Sequence, residues 1–359
     1  MLPLPDTTVA TRKRIARKYK LAQLPDPRRY LHIRCGDDIL DTLDAAGVPG
    51  DKIRWADVLT EGPLHPHASD ADRQRERAAY ISGRFLMPMT EVYREMKGAD
   101  WRVDQCGLYH ETVLWFEADV FDQTILVYLL QRLRPHARDT RISLICIGEF
   151  PGVERFIGLG QLGAVELAGL LPTRRPVTAR QFELARETWT ALSAPSPRDL
   201  IRLAASRSRA LPFLPAAIGR YLAEYPSTSN GLSRTAQLAL EEIAGGASTS
   251  LAAFSRVQDR ERRPFMGDWM FYALLRELAA GVNPLLAGTH PRLSRLPNRE
   301  FPEREIWLTE QGRRVLEGKA DWCALCGVAR QIGGVTLLGP HPRWRWDPAQ
   351  ERLVERRRK

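Results

Sequence analysis

The stretch Val113-Leu-Trp-Phe-Glu-Ala-Asp-Val-Phe-Asp-Gln-Thr-Ile-Leu-Val-Tyr-Leu-Leu130 runs from one apolar segment through three carboxylates, Glu117, Asp119 and Asp122, into another. The aromatic and branched residues from Thr112 to Phe116 suit a strand covered on both faces, and the longer apolar run from Asp122 to Leu133 suits a helix. Acids set where a strand hands over to a helix either cap that helix or build a polar site at the rim of a sheet. The choice turns on what the neighbouring strands carry at the same ends.

Upstream, Tyr30 to Cys35 reads as a short strand, Gly36-Asp-Asp38 as a turn, and Ile39, Leu40 and Leu43 as the buried face of a short helix closed by Gly47. Lys52 to Trp55 makes the next strand, and strand, helix, strand in that order gives parallel pairing. Two helices broken at Pro88 occupy the segment from Asp70 to Lys97, and Arg141 to Ile147 is a fourth strand. Residues 28–150 are therefore predicted to form a small Rossmann-like α/β domain with a mostly parallel sheet.

Gly158, Gly160 and Gly163 resemble part of a dinucleotide fingerprint, but they follow the last strand and lack an acid at ribose distance, so no dinucleotide is expected. Residues 151–226 read as a helical region, with Thr178 and Ser196 as caps and Pro212 or Pro215 opening a helix. A polar break at Pro226 to Gly231 precedes helices at Ser233 to Ala244, Ser250 to Val257 and Asp268 to Ala280. A strand at Glu305 to Leu308, a helix at Thr309 to Leu316 and strands around Gly333 to Leu338 and Trp344 to Trp346 follow. Three helices and then strands is the order of a winged helix, so residues 227–359 are predicted to be a winged-helix-like α+β domain. Its third helix, Gly267 to Leu278, is aromatic and apolar and opens on an acid, which suits burial better than the reading of base edges.

A chain of 359 residues exceeds a single typical core, so two or three domains are expected. There is no apolar run of the roughly 20 residues that a membrane helix needs, and no basic segment leads into an apolar one at the start, which points to the cytoplasm and away from membranes. Five scattered cysteines make no disulfide framework. Cys35 and Cys146 read as small buried hydrophobes, and Cys323-Ala-Leu-Cys326, without a second pair, as a turn rather than a zinc site. The net charge of +10 invites a polyanion, yet much of the excess sits in Arg12 to Lys20, within a basic extension at residues 1–27, and in Arg352 to Lys359. Such clusters are solvated tails or contacts for nucleic acid, and nothing in the pattern sets an oligomeric state.

Acids recur at every strand end. Asp37 and Asp38 follow the first strand, Asp57 and Glu61 the second, Glu117, Asp119 and Asp122 the third, and Glu149 the fourth. Ends of parallel strands share one edge, where carboxylates would repel one another unless a cation or basic groups intervened. The expected site is a centre for Mg²⁺ or Mn²⁺ held by Asp57, Glu117 and Asp119, acting on a small phosphorylated or nucleotide substrate. Glu61 or Asp122 would take a proton and His32 donate one, while Arg34, Gly36, Asp37, Asp38, Arg54 and Gln123 would line the substrate. The competing reading makes Asp37 and Asp119 or Asp122 helix caps and the protein a regulatory or nucleic-acid-binding one. Within the three acids of the opening stretch, Asp122 is the expected cap and Glu117 and Asp119 the expected site residues.

Several segments resemble the uncharacterised bacterial family known as domain of unknown function 1835. These are His32-Ile-Arg-Cys-Gly-Asp-Asp-Ile39, Trp55-Ala-Asp-Val-Leu-Thr-Glu-Gly-Pro63 and Leu114-Trp-Phe-Glu-Ala-Asp-Val-Phe-Asp-Gln123. Asn230-Gly-Leu-Ser233, Met266-Gly-Asp268 and Leu308 to Leu316 are similar to the C-terminal part of longer members. Members commonly carry His where this chain has Ala118, and the resemblance implies no reaction.

Overall fold

The computed structural model describes residues 30–66, 69–288 and 303–356. The expected basic extension at residues 1–27 and the last residues of the C-terminal basic cluster lie outside them. Contacts gather the chain into two compact units that are not consecutive blocks of sequence: residues to 57, 97–117 and 125–186 form one, and 58–96, 118–124 and 187 onward the other. The boundaries expected at 150 and 226 cut the chain sequentially, whereas packing joins residues 58–96 with the C-terminal half.

The first unit is built on a five-stranded sheet. Its strands are β1 (Tyr30–Arg34), β2 (Asp51–Arg54), β3 (Glu111–Glu117), β4 (Arg141–Ile147) and β5 (Arg175–Pro176), in the spatial order β2-β1-β3-β4-β5. The pairs β1/β2, β1/β3 and β3/β4 are parallel, and only β4/β5 is antiparallel. Every residue of β3 is buried, which accounts for its unbroken apolar sequence. Val113 and Trp115 face a cluster with Ile39, Leu43, Leu159 and Leu167. Leu114 and Phe116 alternate to the opposite face and are equally buried. The helix α1 (Leu40–Ala45) links β1 to β2, and α2 (Val120–Leu133) links β3 to β4. β1 connects to a strand on one side and β3 to a strand on the other, so the strand order reverses between them.

The second unit holds a helical core. Helices Arg234–Ala244, Ser250–Arg260 and Asp268–Leu278 pack Leu238, Leu240, Val257, Phe271 and Leu275 together. Ser233 and Thr249 cap the first two through their hydroxyls, taking amides of Ala236 and Ala252. Leu286–Ala287 pairs antiparallel with Trp307–Leu308, and Thr249 bridges Glu305. The helix expected to be capped by Ser196 runs over Arg198–Ala204 with Pro197 at the cap position and no side-chain cap. Elsewhere in the unit Val328–Gly333 and Val335–Gly339 form a hairpin, and Gly62–Pro63 adds to it in parallel. Gly333 is required there. Its φ is +62°, and a Cβ would fall 2.4 Å from the carbonyl oxygen of Leu192. The interruption expected at Pro88 is real: one helix, Asp70–Phe85, ends on left-handed Leu86 and the next, Met89–Asp104, begins after the proline. Among the described residues no helix is long and apolar enough to cross a membrane.

Candidate metal centre

β3 ends at Glu117 and α2 begins at Val120, two residues earlier than the apolar pattern indicates. That shift reassigns the acids. Asp119 now stands at the cap, and its Oδ1 accepts the amide of Asp122 at 3.0 Å, so Asp119 and not Asp122 is the capping residue. Asp122 lies in the first turn, where a negative charge meets the positive end of the helix.

Glu117, Asp119 and Asp122 are all buried, and each presents an oxygen such that the set lies within 4.8 Å. These three, from one turn of chain, are the group among the described residues that could hold a metal ion. All-oxygen donors suit a hard cation such as Mg²⁺ or Mn²⁺, whose ligands sit at roughly 2.0–2.6 Å and so within about that mutual spacing. The expected ligand Asp57 is buried after β2 but is not in the set, and Asp122 takes its place.

Arg34 is the counter-charge at the end of β1. Its Nη2 donates to Glu117 Oε1 at 2.5 Å, and its Nε and Nη2 grip Asp38 at 3.1 and 3.0 Å. The guanidinium is buried, so losing it would leave Glu117 an uncompensated internal charge. Arg34, placed by its sequence position as a substrate ligand, is thus held by protein. A second donor reaches Glu117 Oε1 from the glycine-rich segment, the amide of Leu159 at 2.6 Å. A Cβ on Gly158 would stand 2.8 Å from Glu117 Oε2, and one on Gly160 3.4 Å from Asp38. These glycines let backbone approach the acids. The spacing signal that suggested a nucleotide loop marks this approach.

The remaining expected site residues divide clearly. Asp37 pairs with Arg54 at 2.9 Å on the exposed rim, and no side chain caps α1, so the capping reading fails for Asp37. Gly36 sits beside Asp38, where a Cβ would come 2.9 Å from Oδ1. Gln123 is buried in the first turns of α2, its amide bonded to the Asp119 carbonyl. His32 is fully buried, its Nε2 bonded to the Pro49 carbonyl at 3.0 Å and its Nδ1 accepting from Trp115 Nε1 at 3.0 Å. Burial, outweighing the Pro49 hydrogen bond, lowers its pKa to about 4. With both nitrogens engaged and the ring neutral, His32 is a structural residue and not the proton donor expected from its strand position.

Glu61 belongs to the second unit, where Tyr80 and Arg84 each donate to its Oε2 at 3.1 Å. It is not in the acidic set. His65, also in that unit, bonds Glu76 through Nδ1 at 2.6 Å and faces the Gln331 amide through Nε2 at 3.4 Å. Cys323 is buried with its thiol on the Gly231 carbonyl, whereas Cys326 is exposed, and both are free. No family model matches the chain, and no curated protein does either.

Proposed function

We propose that the chain is a divalent-cation-dependent enzyme acting on a phosphorylated or nucleotide substrate, a phosphoesterase in the broad sense, at the carboxyl edge of the five-stranded sheet. The observation that carries this reading is the set of three buried carboxylates within 4.8 Å. It is supported by place: strand order reverses between β1 and β3, and open parallel sheets bind ligands outside the strand ends at such a reversal. The Rossmann-like description belongs to the same proposal, as does the motif resemblance to domain of unknown function 1835, which brings no reaction with it.

Glu117, Asp119 and Asp122 would hold Mg²⁺ or Mn²⁺, which when bound supplies charge neutralisation and polarises a phosphoryl oxygen. Arg34 fixes the Glu117 carboxylate, the Leu159 amide orients it, and Asp119 ties the acids to the start of α2. Arg54, half exposed at the rim, is the cation placed to meet substrate phosphate. Asp57, buried just after β2, is a further acid that would move a proton.

Calorimetric titration with Mn²⁺ tests the reading, with phosphate release from a panel of nucleoside phosphates as its catalytic arm. Asp119→Asn keeps the cap, since asparagine caps as well as aspartate, but removes the charge. Asp119→Asn and Asp122→Asn should each weaken Mn²⁺ at least about tenfold at unchanged melting temperature, as expected for losing one charged ligand. A wild-type chain giving no heat with either cation, or equal binding in both variants, would sink it.

A second reading rests on the element order over residues 234–308. Helix, bridge strand at Thr249, two helices and an antiparallel pair is the order of a winged helix. The third helix, Asp268–Leu278, is buried through Met270 to Leu275, and Arg84 from the Asp70–Phe85 helix donates to its Ala273 carbonyl and to Glu277. A helix so covered is a poor reader of the major groove. Nucleic acid, if bound, would meet basic residues read from the sequence, Arg292, Arg295 and Arg299 and the clusters Arg12 to Lys20 and Arg352 to Lys359. Duplex DNA binding should then fall steeply with salt, weaken in the triple Arg→Gln variant and ignore Trp269→Ala; salt-insensitive binding removes this reading.

A further inference from the structure

The second unit contains a cleft of about 510 Å³, lined in part by Glu61, Tyr80, Arg84, Glu277, Arg330 and Gln331. Its charges are incompletely matched. Arg84 is spent on two acids, donating from Nε to Glu61 Oε2 at 3.1 Å and from Nη1 to Glu277 Oε2 at 2.8 Å. Tyr80 donates to the same Glu61 oxygen. The other oxygen, Oε1, is buried and has no hydrogen-bond partner, in a residue only 5% exposed. A buried carboxylate oxygen without a donor forfeits its hydration with nothing in return, so a ligand that donates to it is favoured. Arg330 presents the complementary gap. Its Nη1 donates to the Glu224 main-chain carbonyl at 3.3 Å, while the carboxylates of Glu277, Glu224 and Glu61 act on it as neighbouring charges rather than as hydrogen-bond partners. Trp322 and Leu338 supply apolar wall, and Leu338 is 67% exposed at the rim.

We propose that this cleft binds a free amino acid, its ammonium group on Glu61 Oε1, its carboxylate on Arg330 and its side chain along Trp322 and Leu338. The charge balance selects this class. Two glutamates and two arginines sum to no net charge although both acids are paired to Arg84, so a phosphate dianion would bring uncompensated negative charge beside Glu61 and Glu277. A simple cation would satisfy Glu61 and leave Arg330 unmet. A zwitterion of no net charge answers both groups, and the volume falls within the range of roughly 300–1,000 Å³ of small-molecule sites. The inference is independent of the metal reading, because none of the three clustered acids lines the cleft.

The test is calorimetric and thermal-shift titration of the full chain with each standard amino acid at millimolar concentration, beside its N-acetyl and carboxamide derivatives. At least one amino acid should bind saturably, and either derivatisation should weaken it roughly tenfold to a hundredfold, the loss of one charge-assisted contact. Glu61→Gln and Arg330→Gln should weaken binding to the same degree. If either variant misfolds, Leu338→Trp decides, since it alters an exposed rim residue and should block entry without disturbing the core. No binding by any amino acid to the folded wild-type chain would overturn the proposal. So would equal binding of the N-acetyl derivative, or binding unchanged in Leu338→Trp.

Discussion

His32 carries a pH dependence that its surroundings dictate. The ring is closed in by β1 and Trp115, donates to Pro49 from Nε2 and accepts the indole N–H at Nδ1, so a proton on Nδ1 would set two donors against each other. Burial is the larger cause of the pKa near 4. The unfolded chain, with an ordinary histidine pKa of about 6.5, binds the proton first as pH falls. Stability from this residue is therefore complete above about pH 6.5 and is lost as pH drops toward 4, by roughly 3 kcal/mol in all. Urea denaturation across pH 4–7 should show that loss in the wild type. His32→Gln, which keeps a donor and an acceptor but does not titrate, should flatten the curve by that amount; parallel curves would refute the assignment.

The same scale explains what reading the residues in order reveals and what it conceals. That acids gather at strand ends is plain from Asp37, Asp57 and Glu117 in series. Which basic group answers them is not, because Arg34 and Glu117 are 83 residues apart and meet only through the β1/β3 register. Exchanging Arg34 for Met should cost about 3–5 kcal/mol in denaturant unfolding, the penalty for stranding a buried charge, and a loss under 1 kcal/mol would mean the pair is not internal.

At the scale of elements, helix α2 and the glycine segment decide the acidic turn together. The apolar pattern places the strand and the helix correctly but not the helix start, because Val120 and Phe121 are apolar on either reading and only the Asp119 side-chain bond marks the first turn. The glycines of residues 158–160 show as a spacing in the sequence, while their purpose, closeness to Glu117 and Asp38, is a tertiary fact. Gly158→Ala should push Glu117 away from Arg34 and the Leu159 amide, destabilising by about 1–3 kcal/mol as an overpacked site does. Gly169→Ala, in a helix with nothing within 4 Å of the added carbon, should be neutral or stabilising by up to about 1 kcal/mol. Equal stability of the two variants in guanidinium unfolding would show that the segment does not press on the acid.

For the whole molecule, sequence order and packing order part company. The parallel sheet from residue 30 to 147 is legible because each strand is a short apolar run, but what completes its core comes later in the chain. Leu159, Leu162, Leu167 and Leu170 cover Val113 and Trp115, and Arg174 reaches back to buried Glu111 at 2.9 Å. Residues 58–96, which a linear reading assigns to the sheet, instead place Phe85 in the helical core with Leu238 and Phe271 and pair Gly62 with Ile332. A fragment ending at residue 150 therefore keeps four strands yet loses the leucines on one face and the counter-ion of Glu111, and it leaves Phe85 without its partners in the helical core. It should retain far-ultraviolet helix and strand signal, lose near-ultraviolet tryptophan dichroism and bind a hydrophobic dye, the behaviour of a compact chain without fixed packing. Extending it to residue 186 restores the sheet's leucines and Arg174 but nothing of the helical core, so the tryptophan signal should recover in part while dye binding persists. Native dichroism and no dye binding in the shorter fragment would mean that the sheet packs without the residues that here enclose it.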